Sequence, residues 1–275
     1  MRPRLQGSLS RFVFVLVGAA LATGASRHAP AESKWLLESP ADAKSIVAST
    51  FDESGHEVGR STFELESAAF GVQHMKIELA VAQGGVNRSE ATFVRVGHDG
   101  PEKDLLRLTA QRSQATRADG VSLDLLVIDH VEGRASCYAS DEVDPVGRHI
   151  ELPEDDRVVN VPLQLLFKPL ARGEIDKLRF QFALCRSGPV IQNMLAVRGS
   201  RSRKGETGVI EIRFGPDFGE TVAWFASRLL PSFSFWFDES EGDYLGHKMP
   251  LHRKGPTILL VRQGLLPPDL GLAMY

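Results

Sequence analysis

Nucleophilic chemistry is the first thing this sequence is short of. Its 275 residues contain only two cysteines, Cys137 and Cys185, and no serine stands in a Gly-x-Ser-x-Gly elbow or a Ser-x-x-Lys pair. Both cysteines fall in strand-like surroundings instead of at a helix start, where a thiolate would be stabilised. Metal-binding patterns are missing too. Eight histidines (His28, His56, His74, His98, His130, His149, His247 and His252) are scattered, and the closest pair, His247 and His252, lacks the i, i+4 spacing of a helical zinc site. That pair belongs to a predicted hairpin arm around Leu245 to Leu251, where solvated histidines are expected. The carboxylates Asp141, Glu142, Asp144, Glu151, Glu154, Asp155 and Asp156 show no Asp-x-Asp-x-Asp-Gly loop and read as a solvated acidic connection. No catalytic residue, metal or cofactor is therefore expected, and the chain is read as not an enzyme.

A long apolar span is absent as well. The one candidate, Phe12 to Ala22, is shorter than the roughly 20 residues that cross a bilayer. Arg2, Arg4 and Arg11 precede it without an acid, and small residues follow at Thr23-Gly24-Ala25 and Ala29-Pro30-Ala31. Basic stretch, apolar run and small residues make residues 1–31 a predicted signal peptide; an uncleaved N-terminal anchor helix is the alternative. No cysteine follows the apolar run, so a lipid-anchored N-terminus is not expected. Removing Arg2, Arg4, Arg11 and Arg27 takes 32 basic residues to 28 against 35 acidic ones, so the formal charge of −3 becomes −7. Such a balance disfavours nucleic acid as a partner. The expected location is periplasmic or secreted, with no transmembrane anchor in the mature chain. In an oxidising compartment Cys137 and Cys185 can form a disulfide; each could equally be a small buried residue.

Residues 32–43 have no clear period and read as a lead-in segment. From residue 44 to 275 the dominant signal is alternation, expected of a single antiparallel β domain. Phe63-Glu64-Leu65-Glu66, Met75 through Val81, Leu178 through Phe182 and Val209 through Phe214 all alternate apolar and polar residues. Phe233, Phe235 and Phe237 do so against Ser234 and Asp238, and Leu105 to Ala118 is the least β-like of the predicted strands. Turn residues at Gly55, Gly84-Gly85, Asp119-Gly120, Glu132-Gly133 and Glu241-Gly242 divide them as a meander of hairpins requires. Phe51-Asp52-Glu53-Ser54-Gly55 is echoed by Phe237-Asp238-Glu239-Ser240-Glu241-Gly242, which predicts two similar hairpins. Asn87-Arg88-Ser89 matches the glycosylation triplet, which carries meaning only in a eukaryotic source.

Two segments break the period. Asn160 can cap a helix beginning at Pro162, with Leu163, Leu166, Phe167 and Leu170 on one face and Pro169 as a kink. Asp217 and Glu220 make a capping box for a second helix, with Val222, Phe225, Ala226 and Leu229 as its stripe, widened by Trp224 and Leu230, and Pro231 as its stop. A curved antiparallel sheet or open β-barrel, with two short apolar helices packed on or lidding it, is the predicted fold. Its apolar interior is the candidate ligand site, and Leu166, Phe167, Trp224, Phe225, Phe233 and Phe235 are the candidate ligand-binding residues. A packed core built from the same side chains is the competing reading.

The order of parts, with Val161-Pro162-Leu163 through Arg172-Gly173-Glu174 leading to Phe180 and Phe182, and Phe237-Asp238 leading to Leu245-Gly246, resembles the periplasmic open-barrel group. That group includes the lipoprotein-localisation carriers and the uncharacterised exported proteins related to them in fold. The resemblance implies a lipid, an acylated protein or another apolar molecule bound in the barrel, without catalysis. A protein–protein interaction module of the cell envelope, docking an envelope protein partner without any ligand, and an enzyme of unrecognised type are the alternatives.

Overall fold

The structure is a computed structural model that describes residues 36–39, 45–82, 84–96, 105–139, 148–185, 188–204, 207–217, 233–252 and 255–272. Alternation of apolar and polar residues becomes strands: β1 (Leu36–Glu38), β2 (Ser45–Phe51), β3 (Glu57–Ser67), β4 (Val72–Val81), β5 (Gly85–Val96), β6 (Leu105–Thr116), β7 (Ser122–Asp129), β8 (Arg134–Ala139) and β9 (Arg148–Glu151). Helical turns α1 (Leu163–Leu166) and α2 (Lys168–Ala171) follow. The second half adds β10 (Lys177–Cys185), β11 (Pro189–Lys204), β12 (Thr207–Pro216), β13 (Phe233–Asp238), β14 (Tyr244–Pro250) and β15 (Thr257–Arg262).

All of these strands join one antiparallel sheet, in the order β10 through β15, then β2 through β9, with β1 beside β6. Because β15 pairs with β2, the two free ends of the sheet, β9 and β10, come from the middle of the chain. The sheet curls, so that Cys137 of β8 and Cys185 of β10 meet in a disulfide with their Cα atoms 5.6 Å apart. Strand pairing leaves the barrel open between β9 and β10, and this crosslink and the segment 152–162 bridge that gap. Mainly β, a curved antiparallel sheet that its strands do not close, with short apolar helical turns packed on it, is thus the fold class that the sequence pattern predicts.

Inward positions fill the interior, with Phe63, Ile77, Phe93, Leu108, Ile212, Phe237 and Leu260 all buried. Close strand approach dictates two glycines: a Cβ on Gly59 would collide with the Ala80 carbonyl, and one on Gly85, at φ +95, with that of Thr116. The echoed phrases are hairpin turns built alike. Asp52 Oδ1 accepts from the Ser54 and His56 amides, and Asp238 Oδ1 from those of Ser240 and Glu241.

Three expectations are corrected. The first predicted helix is two four-residue turns separated at Phe167, and its expected cap does not cap: no side chain caps α1, and Asn160 bonds to β10 instead. Strand β13 is buried on both faces, not half-buried. Trp236, pointing away from the barrel interior, packs with Phe51, Val209, Val261 and Leu270 beneath the C-terminal turn Pro267–Leu270. His247, expected in solvent, is 3% exposed. The second predicted helix, with Trp224 and Phe225, lies outside the described residues. Among the described residues no helix is long and apolar enough to cross a membrane.

Candidate functional site

Half of the barrel is solid. Phe167, on the break between α1 and α2, sits among Phe180, Phe214 and Phe235 with ring centroids 5.7, 5.4 and 5.3 Å away. Leu166, Phe167 and Phe235 are at most 3% exposed and are buried in this packed cluster. Edge-to-face and tilted aromatic contacts of this kind each add about 0.5–1.5 kcal/mol beyond area burial.

Among the described residues the other half is not filled. A cavity of about 420 Å³, partly open to solvent, lies at the barrel end that carries the β4–β5, β6–β7 and β14–β15 connections. Small-molecule sites usually occupy about 300–1,000 Å³. Its wall is mostly apolar: Ala115, Leu126, Val161, Phe182, Met194, Phe214, Phe233, Met249 and Leu251. Phe233 is the one predicted ligand-binding residue that the described structure places there, and Phe214, whose ring centroid is 5.2 Å from it, joins cavity to core. Cys185 lines the same space, so the disulfide is part of the cavity wall. Sequence reasoning missed Met194 and Met249, whose inward direction follows only from strand register, and Leu251, which lies just past the end of β14.

Polar groups on the wall are mostly committed to the fold. Asn87 Nδ2 donates to the Leu251 carbonyl at 2.8 Å, while its Oδ1 accepts from Ser89 and Ser113 hydroxyls. This ties β5 to the end of β14 and occupies the amide of the glycosylation triplet. Asn160 acts as a strand edge: its Nδ2 donates to the Ala183 carbonyl and its Oδ1 accepts from the Ala183 amide. With Gln181 bonded to Arg157 and Val159, the connection 157–160 covers the free edge of β10.

That connection is held by a buried polar latch. Gln111 Oε1 accepts from the amides of Asn160 and Val161 at 2.6 and 2.8 Å, which fixes the orientation of its side-chain amide. Its Nε2 then donates to the Val158 carbonyl and to His130 Nε2. His130 must therefore hold its proton on Nδ1, where it donates to Asp156 Oδ2 at 2.7 Å. His130 is 1% exposed and Asp156 is 0% exposed, so Asp156 corrects the expectation that the whole acidic segment is solvated. Such a histidine–carboxylate pair has the form of a general base, but its outer nitrogen is occupied by Gln111 instead of facing a hydroxyl or thiol. The nearest chemical role is structural.

His247 lies on the opposite side of the interior. Its Nδ1 is 2.6 Å from the Tyr244 hydroxyl, its ring stacks on Phe235 at 4.8 Å, and its Nε2 is buried without a partner among the described residues. Burial lowers its pKa from 6.5 to about 3 and raises that of Tyr244 well above 10. The unfolded chain therefore binds a proton that the folded one refuses. Stability from this group is complete above pH 6.5 and falls as pH drops toward 3. Between pH 6.5 and 5 the loss is about 2 kcal/mol at 1.36 kcal/mol per unit. Urea midpoints measured across that window should fall for the native chain and fall less for His247→Leu; parallel pH profiles would refute the assignment.

Comparison with known protein families finds no match, and no curated protein matches. Among solved structures there is a likeness to a crystal structure described as a β-barrel-like protein of the domain of unknown function DUF1849 from Brucella abortus. It is 10% identical, covers 79% of this chain and 94% of that chain, and has a TM-score of 0.34. Nothing in these comparisons connects the chain with lipoprotein-localisation carriers.

Proposed function

We propose that the chain is an exported, non-catalytic protein that binds an apolar ligand, a lipid or acyl chain or the acyl group of a modified protein, in the open half of its barrel. One observation carries this reading: an apolar cavity of about 420 Å³ inside a sheet whose other half is filled to the centre by Phe167 and its neighbours. Close packing is the rule in protein interiors, and a void of this size lined by Leu, Met and Phe forfeits dispersion contacts that an apolar guest restores. The predicted signal peptide and the disulfide agree with a periplasmic or secreted location, where lipid and lipoprotein handling takes place.

The test is saturable binding of the neutral apolar dye Nile red. The native chain should bind one equivalent. Met249→Trp, which puts a larger side chain into the cavity, should weaken binding at least about tenfold while the melting temperature stays within a few degrees. Unsaturable binding, or equal binding by the variant, would count against the cavity.

A second reading, a ligand-free interaction module of the envelope, has its own observation. Phe70 at the β3–β4 tip is fully exposed at φ +60, flanked by the exposed Ala68, Ala69 and Gly71. A bulky side chain held outward in the left-handed region is suited to filling a partner's pocket.

A further inference from the structure

Resting on the reading of the cavity as a ligand site, we infer that its ligand is a single-tailed amphiphile with an ammonium head, placed at the cavity mouth beside Asp124 and His252. The argument comes from which polar groups on the wall remain available. Asn87, Ser113 and Asn160 spend their hydrogen bonds on Leu251, on one another and on Ala183, as described above. Gln192 donates to the Asn193 carbonyl. Asp124 differs from these. It is the acidic side chain of the described wall, half-buried on β7 opposite Ala115, and no hydrogen bond or ion pair among the described residues engages it.

His252 stands close enough to feel that carboxylate, which favours its protonated form, but burial outweighs it and lowers the histidine's pKa. At neutral pH the mouth therefore offers a carboxylate and a neutral imidazole, two acceptors, above an apolar chamber. An ammonium supplies donors to both and cancels the charge. A fatty-acid carboxylate would instead be held beside Asp124 with no cation on the described wall, where like charges repel. The apolar chamber, walled by Leu126, Met194, Phe214 and Met249, takes the tail.

The experiment is displacement of Nile red from the full mature protein at pH 7.5 by three probes of equal chain length: tetradecylamine, tetradecanoic acid and the neutral monotetradecanoylglycerol. The amine should displace the dye at least about tenfold more tightly than the acid, roughly what one partly desolvated ion pair contributes. Asp124→Asn should erase that preference while leaving the glycerol ester's affinity and the melting temperature unchanged. An acid that binds as tightly as the amine, or a preference that survives Asp124→Asn, overturns the inference, and the carrier reading stands if the neutral ester binds. Failure of all three probes to displace the dye overturns both.

Discussion

Replacing Gln111 by leucine is expected to lower the unfolding free energy by about 3–5 kcal/mol, because the change leaves one buried and one part-buried backbone N–H group, a carbonyl and an imidazole nitrogen without partners, each costing about 1–3 kcal/mol when buried and not fully additive. The four bonds lost run to Asn160, Val161, Val158 and His130. Leucine fits the volume of glutamine, so the loss is in hydrogen bonding rather than packing. Asp156→Asn probes the same latch more gently, since an amide oxygen still accepts from His130 Nδ1. Urea denaturation of the two variants should therefore rank leucine at 111 well below asparagine at 156. A leucine variant within about 1 kcal/mol of the native chain would mean that segment 157–161 is held by β10 alone.

The second large effect is the loss of the disulfide. Cys137 and Cys185 are 48 residues apart, and closing a loop of that length restricts the unfolded chain by about 4 kcal/mol in the chain-entropy account. Cys137→Ser together with Cys185→Ser should lower the melting temperature by roughly 8–16 °C in a protein of this size. The same pair should weaken Nile red binding, because the bridge spans the sheet ends and Cys185 stands on the cavity wall. A drop of less than about 2 °C with unchanged binding would show that the polar latch holds the two ends of the sheet together without the crosslink.

The sheet was legible in the sequence because its inner and outer faces differ in polarity. Met75 through Val81 alternates cleanly since Met75, Ile77 and Leu79 face the core while Lys76 and Glu78 pair with Glu66 and Arg88 on the outside. Strand β6 was obscure for a physical reason. Gln111 and Ser113 point inward, to the latch and to Asn87, so a stretch with no apolar alternation is nevertheless a central strand. The burial of Trp236 was not legible because its cover, the turn Pro267–Leu270, lies some thirty residues onward and announces itself by no period.

The candidate site was less legible than the fold. The aromatic residues that stood out, Phe167 and Phe235, are where aromatic density is highest, and that is the packed half. A cavity wall is instead a set of ordinary residues, Met194, Met249 and Leu251 among them, brought together by strands far apart in sequence. His130 and Asp156 are separated by a strand pair and a long connection, and no local spacing marks their contact. Trp224 and Phe225 lie outside the described residues, and their part in ligand binding stays a prediction of the sequence.

Native mass spectrometry of the protein, purified from its own cells without detergent, tests the central claim most directly. The account predicts a population carrying one apolar molecule per chain, absent from Met249→Trp prepared in the same way; the bare protein mass in every preparation of a well-folded native chain would contradict it.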